Sequence, residues 1–117
     1  MKNNNLNNQK LRVWWNPQVG ASETFYVPVT SIEEGKKVMD LLSAYDCFQL
    51  NNQVKGDYCN VGGLEMWDEE EQEWVDWEYE DEEHCYDNVD DYCDEISSQS
   101  KMLNEFSKTL FEQVHFD

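Results

Sequence analysis

Residues 65–96 carry 17 Asp and Glu side chains and no Lys or Arg. This one-signed stretch is the strongest constraint on the fold. Like charges set opposite one another across a strand ladder destabilise it, so a sequence selected for folding alone would alternate signs. The rest of the chain is close to neutral. Residues 1–64 hold six bases and six acids, and residues 97–117 hold two lysines and three acids. Nearly all of the net charge of −18 therefore belongs to one segment of a near-neutral scaffold.

A field of this sign excludes direct nucleic-acid binding by the chain and disfavours anionic membranes. It attracts cationic partners instead. No apolar run reaches the roughly 20 residues of a membrane span. Residues 1–10 form a polar, Asn-rich leader without the apolar core of a signal peptide, so a cytoplasmic location is expected. In that reducing compartment Cys47, Cys59, Cys85 and Cys93 are expected as free thiols. With 117 residues, 39% of them hydrophobic and 14% aromatic, the chain suits one domain, read as residues 11–117.

The patterning predicts an α+β fold: a small antiparallel sheet, one central helix, an acidic hairpin and a C-terminal amphipathic helix. Residues 11–15 and 24–29 are aromatic and β-branched runs separated by Asn16-Pro17 and Gly20, which reads as an antiparallel pair. Ser31-Ile32-Glu33-Glu34 is a capping box, opening a helix that Val38, Met39, Leu42 and Tyr45 carry to about Tyr45. Residues 47–50 read as a further short strand. Lys55-Gly56-Asp57 and Gly62-Gly63 read as loops around Tyr58-Cys59. Val89, Tyr92, Cys93 and Ile96 keep the spacing of a short helix. Residues 100–114 place Met102, Leu103, Phe106, Leu110, Phe111 and Val114 on one stripe, capped by Ser98 or Ser100.

The acidic segment opens with a predicted hairpin of residues 64–68 and 73–80 joined by Glu69-Glu70-Glu71-Gln72. Pairing Asp68 with Glu73 sets Trp67 opposite Trp74 and Glu65 opposite Asp76. Period two then turns Leu64, Met66, Val75, Trp77 and Tyr79 to the core. Glu65, Trp67, Trp74, Asp76, Glu78 and Glu80 face outward. Over roughly 26 Å the hairpin bears about nine carboxylates, about 0.35 charge per Å, against about 0.6 per Å for duplex DNA. The candidate partner-binding set is this outward face with Asp68, Glu69, Glu70, Glu71 and Glu73, continued by Asp81, Glu82 and Glu83. Its expected partner is a basic nucleic-acid-binding protein, with tryptophans as anchors and carboxylates for steering.

No cofactor or metal site is assigned. Residues 87–95 are rich in oxygen ligands but lack the register and glycine of a calcium loop. His84, Cys85, Cys93 and His115 lack zinc-site spacing. No phosphate loop, nucleophile elbow or zinc-protease motif occurs, and neighbouring carboxylates would raise the pKa of any thiol. The chain reads as non-enzymatic. Two other readings stay open: a small-ligand pocket lined by Trp14, Trp15, Phe25, Tyr26 and Tyr58 with Arg12 or Lys55 as anion contacts, and a structural or regulatory protein whose acidity only confers solubility.

The pieces Leu11-Arg12-Val13-Trp14-Trp15-Asn16-Pro17-Gln18, Tyr45-Asp46-Cys47-Phe48-Gln49, Lys55-Gly56-Asp57-Tyr58-Cys59-Asn60-Val61-Gly62-Gly63-Leu64 and Glu73-Trp74-Val75-Asp76-Trp77 resemble a family of small bacteriophage proteins connected with superinfection exclusion. The resemblance covers about residues 11–80. It implies a phage or prophage origin and action on host or rival-phage machinery. Joined to the charge reading, it leads to the expectation of an inhibitor of a CRISPR or restriction defence that mimics nucleic acid and blocks a basic groove.

Overall fold

The computed structural model describes residues 10–16, 23–51 and 61–114. Along them run β1 (Leu11–Asn16), β2 (Phe25–Val29), α1 (Ile32–Asn51), β3 (Val61–Asp68), β4 (Glu73–Asp76), β5 (Tyr79–Glu80), β6 (Cys85–Tyr86), α2 (Val89–Glu95) and α3 (Ser100–Glu112). The architecture is α+β. Four antiparallel strands lie in the order β2-β1-β3-β4, and β5 and β6 make a small second sheet. β1 is central, pairing Leu11 with Val29 on one side and with Met66 on the other.

Strand alternation decides what each sheet face carries. Leu11, Val13 and Trp15 are buried on the inner face with Val29, Leu64 and Met66, and α1 lies over them through Ile32. Lys10, Arg12 and Trp14 take the opposite parity, on a face that no described helix covers. At the start of α1 the Ser31 hydroxyl accepts the Glu34 N–H at 3.0 Å. The Glu34 carboxylate reaches one residue further back than a capping box requires, to the Thr30 N–H and hydroxyl. Those bonds hold its pKa below the usual carboxylate value. One turn on, a methyl group at Gly35 would lie 2.9 Å from Leu64 Cδ1, so the missing side chain lets α1 approach the sheet.

Three sequence expectations fail locally. Residues 47–50 are not a strand but the last turns of α1, which runs to Asn51. A run of four residues is too short for its pattern to distinguish strand from helix. Here Tyr45 stacks on Phe48 at 6.2 Å, and buried Asp46 accepts the indole N–H of Trp15 at 3.0 Å. Gly62-Gly63 is not a loop but part of β3, opposite Trp15 and Trp14. The predicted strand over residues 73–80 breaks after Asp76. Trp77 buries its indole and Tyr79 turns to Tyr92, drawing the chain off the first sheet. Pro17, Gly20 and residues 55–59 lie outside the described residues.

The acidic segment is packed by aromatic rings. Trp77, Tyr79 and Tyr86 meet Tyr92 of α2 edge to face at 5.7, 5.0 and 6.0 Å. Asn88 caps α2, accepting the Asp91 N–H at 3.0 Å. The capping residue of α3 is Gln99 rather than either expected serine, and it makes no side-chain cap bond. Ser97 instead accepts the Gln99 N–H and donates to Glu33 at 2.7 Å, tying the helix start to α1. Leu103 and Val114 are buried as the stripe predicts, whereas Met102 is half exposed.

Gly62 is the position where this packing has least tolerance: a methyl group there would run into the Trp15 ring and lie 2.7 Å from the Trp14 carbonyl oxygen. Gly62→Ala is expected to lose about 2 kcal/mol, within the range of about 1–3 kcal/mol for overpacking. Urea denaturation followed by tryptophan fluorescence measures it; unchanged stability would show that the Trp15 ring has room to move.

Candidate partner-binding face

β3 and β4 pair Glu65 with Asp76, Met66 with Val75, Trp67 with Trp74 and Asp68 with Glu73, the register expected from the sequence. At the tip the Asp68 carboxylate accepts the N–H groups of Glu70 and Glu71 at 2.9 and 3.2 Å. The Gln72 N–H bonds the Asp68 carbonyl at 2.8 Å, and Gln72 takes a left-handed φ of 55°. Asp68 thus holds the turn. Glu69, Glu70, Glu71 and Glu73 lie in and beside it, exposed.

The middle of the face is built around a cation that the sequence reading gave only to a different site. Arg12 Nε donates to Glu65 Oε1 at 2.8 Å. Its guanidinium lies over the rings of Tyr26 and Trp74, at 3.9 and 4.2 Å. Lys10 sits over Trp67 at 5.4 Å, and its carbonyl accepts the Trp67 N–H. Trp67 meets Trp74 at 5.5 Å and 71°. The face therefore runs from Tyr26 through Arg12 to the two tryptophans. Period two in β1 was the available signal, since it sets Lys10, Arg12 and Trp14 on the face opposite Leu11, Val13 and Trp15. The destabilising Glu65–Asp76 opposition is relieved from the neighbouring strand.

The remaining predicted residues separate. Asp76, Glu78 and Glu80 are exposed along and just beyond β4. Asp81, Glu82 and Glu83 belong to the turn between β5 and β6, in the second sheet. There the Asp81 carboxylate accepts the N–H groups of Glu83 and His84 at 2.8 and 2.7 Å and the Tyr79 hydroxyl at 2.9 Å. These bonds, that from Glu83 foremost, bring its pKa down to about 2. The evenly spaced carboxylate array expected along a strand of residues 73–80 is consequently not formed, because β4 has four residues.

Of the residues named for the alternative small-ligand pocket, Trp14 and Trp15 line one groove from opposite sheet faces, Phe25 and Tyr26 alternate across β2, and Arg12 is engaged with Glu65; Lys55 and Tyr58 lie outside the described residues. Among the described residues no group of three His, Cys, Asp or Glu side chains is placed to hold a metal ion. Cys93 is wholly buried, and burial first, then the charge of Glu33, pushes its thiol up to about 12. No described helix is long and apolar enough to cross a membrane.

A second cation ties the acidic segment down. Lys36 is nearly buried, and its Nζ lies 2.8 Å from Asp90 of α2 and 3.2 Å from Asp40. Burial acts to lower its pKa, but the hydrogen bond to Asp90 and the two carboxylate charges outweigh it, leaving the pKa raised. Burial pushes the Asp40 carboxyl up despite the opposing pull of Lys36.

Fold and face together define a small acidic α+β protein, helices on one side of its sheet and an aromatic, carboxylate-edged surface on the other. Residues 10–98 match the family described as superinfection exclusion gene product 17, and the chain belongs to that family. It is 40% identical over 102 residues to the superinfection exclusion protein of Salmonella phage P22, covering 78% of this chain and 96% of that relative. No solved structure matches. The family match runs through the acidic segment, beyond the residue 80 limit of the resemblance read in the sequence. It also overturns the expectation of an anti-defence inhibitor of the CRISPR or restriction type. Exclusion is directed against a superinfecting phage, whereas such an inhibitor disables the host's defence, which is the opposite role.

Two outcomes follow from the geometry. Arg12→Ala is expected to lower stability by about 2 kcal/mol, the sum of a partly buried ion pair and two stacked contacts. Added salt should recover part of this loss by screening Glu65 from Asp76. Chemical denaturation at low and high salt measures both; a loss indifferent to salt would assign the effect to packing alone. Asp81 has a depressed pKa, so its stabilising contribution is complete above its ordinary value of 3.8 and disappears as pH falls through about 2. NMR titration of the Asp81 carboxyl carbon and the Glu83 and His84 amides should show one coupled transition near pH 2.

Proposed function

We propose that this protein is a phage-encoded superinfection exclusion factor that works without catalysis in the host cytoplasm, by holding a cationic surface of a partner protein against the outer face of its sheet. The observation that carries the reading is the Trp67–Trp74 pair, with Arg12 stacked on Trp74 and the exposed carboxylates Glu69, Glu70, Glu71, Glu73 and Asp76 around it. Interfaces concentrate their energy in central aromatic and arginine anchors, while charges at the rim set encounter rate and partner choice. Here the anchors are half-buried and held in place by neighbouring strands, so little ordering cost attends binding. The carboxylates at the tip are free of the hydrogen bonds that occupy Glu65, Asp68 and Asp81. A partner of complementary charge is a basic, nucleic-acid-handling protein of the host or of the incoming phage, because such proteins carry exposed lysine and arginine surfaces. The family name and the P22 relative support exclusion as the outcome of that contact.

The test is a challenge experiment with host cells expressing the chain. Plating of a superinfecting phage should fall with the natural sequence. Exclusion should be lost with Trp67→Ala and weakened with the fourfold variant Glu69→Gln, Glu70→Gln, Glu71→Gln and Glu73→Gln, whose positions are exposed. Truncating a tryptophan anchor typically costs about 2 kcal/mol of binding, roughly 30-fold in affinity. Circular dichroism establishes that both variants remain folded. Undiminished exclusion by both folded variants would rule this face out as the working surface.

A further inference from the structure

β4 leaves the ladder at Asp76, and the last bond across to β3 is from the Trp77 N–H to the Leu64 carbonyl at 3.0 Å. β3 begins three residues earlier, at Val61. Those three residues pair with β1 on one side and have no described strand on the other. In an antiparallel ladder alternate residues direct their backbone groups to alternate neighbours. Leu64 addresses the β4 side, so the Gly62 N–H and C=O address it too, where β4 is no longer present.

This open edge borders a groove of about 680 Å³ between the end of β4, α1 and the first turn of α2. It is lined by Trp14, Trp15 and Trp77 and by Asp40, Asp76, Glu78, Asp87 and Asp90, with no Lys or Arg among its described lining residues. Lys36 pairs with Asp40 and Asp90. Asp76, Glu78 and Asp87 have no basic partner among the described residues. Gly62 and Gly63 contribute no side chain on either side of the strand, and glycine within a strand is where a second backbone can approach closely. Packing explains part of that composition, since Trp15 lies across Gly62 and Trp14 across Gly63. It does not explain why no described strand pairs with the edge beside them while three carboxylates without a described basic partner line the same groove.

We propose that this edge accepts an extended basic peptide of the partner protein, added as a strand beside Gly62 in line with β4. Strand addition takes its affinity from backbone hydrogen bonds and its selectivity from pockets for alternate side chains. Alternation places successive side chains of the added strand toward Trp14 on one side and toward Trp15 and Met39 on the other. A lysine or arginine stem lies along the indole while its head group reaches Asp76, Glu78 or Asp87. The proposal rests on the reading of a cationic protein partner and uses a surface that shares Asp76 with the Trp67–Trp74 face but none of the hairpin-tip carboxylates.

The test titrates the full chain at physiological salt with the capped peptide Lys-Val-Lys-Val-Lys-Val and with its fully N-methylated analogue, which keeps the charge and removes every backbone donor. Calorimetry reads affinity and NMR reads the Gly62 amide. The expected result is binding of the first peptide, slowed exchange and a shifted resonance at Gly62, and at least tenfold weaker binding of the analogue. Asp76→Asn with Asp87→Asn should weaken binding at least fivefold, and the fourfold glutamine variant of the hairpin tip by less than threefold. Equal affinity for the two peptides, an unperturbed Gly62 amide, or no binding of either overturns the proposal. Failure of this titration leaves the phage challenge of the outer face standing, and failure of that challenge leaves this titration readable.

Discussion

Seventeen carboxylates without a lysine or arginine among them have no internal means of balancing charge, and the structure supplies counter-charge from the near-neutral half. Arg12 of β1 reaches Glu65 on β3 and stacks on Trp74 of β4. Lys36 of α1 bridges Asp40 and Asp90, joining α1 to α2. Both cations are largely shielded, where a charge pair is screened less than at the open surface. The attachment of the acidic segment to its scaffold depends on them and on the aromatic rings around Tyr92. The other carboxylates can then stay exposed, because the backbone that carries them is held from beneath.

This arrangement changes what the acidity means. A continuous, evenly charged strand would have resembled a polyanion along its length. The chain forms two short hairpins instead, divided where Trp77 buries and Tyr79 turns to Tyr92. Glu65, Asp68 and Asp81 are occupied in holding structure, the first by an ion pair and the others by accepting backbone N–H groups in turns. Acidity is concentrated at the hairpin tip and along the groove beside β3. Aromatic rings stand next to both, so each surface joins an apolar anchor to a charged rim. That combination suits recognition of a protein better than plain electrostatic repulsion or solubility.

Membership of the superinfection exclusion family gives these surfaces a direction. A field of this sign attracts cationic surfaces and repels polyanions. The outer face and the open edge offer two different modes of contact, one through side chains and one through backbone.

Much was legible in the sequence because it depends on spacing alone. Period two in residues 64–68 and 73–80 determined the hairpin register and its core face although β4 stops at Asp76, the stripe of residues 102–114 determined α3 although Met102 is half exposed, and Ser31 with Glu34 marked the start of α1. Boundaries were less legible where local signals are ambiguous. Residues 47–50 suit a strand as well as a helix until Asp46 is seen to accept the Trp15 indole N–H. Two glycines suit a loop until Trp14 and Trp15 are seen to need the space above them. The pairing of Arg12 with Glu65 and of Lys36 with Asp90, across 53 and 54 residues, follows from no local pattern. The sequence by itself determined that the charge is segregated and which residues alternate toward the core. Only the tertiary structure decided which carboxylates are neutralised and which remain free, because that depends on which distant cation the fold carries within hydrogen-bonding distance.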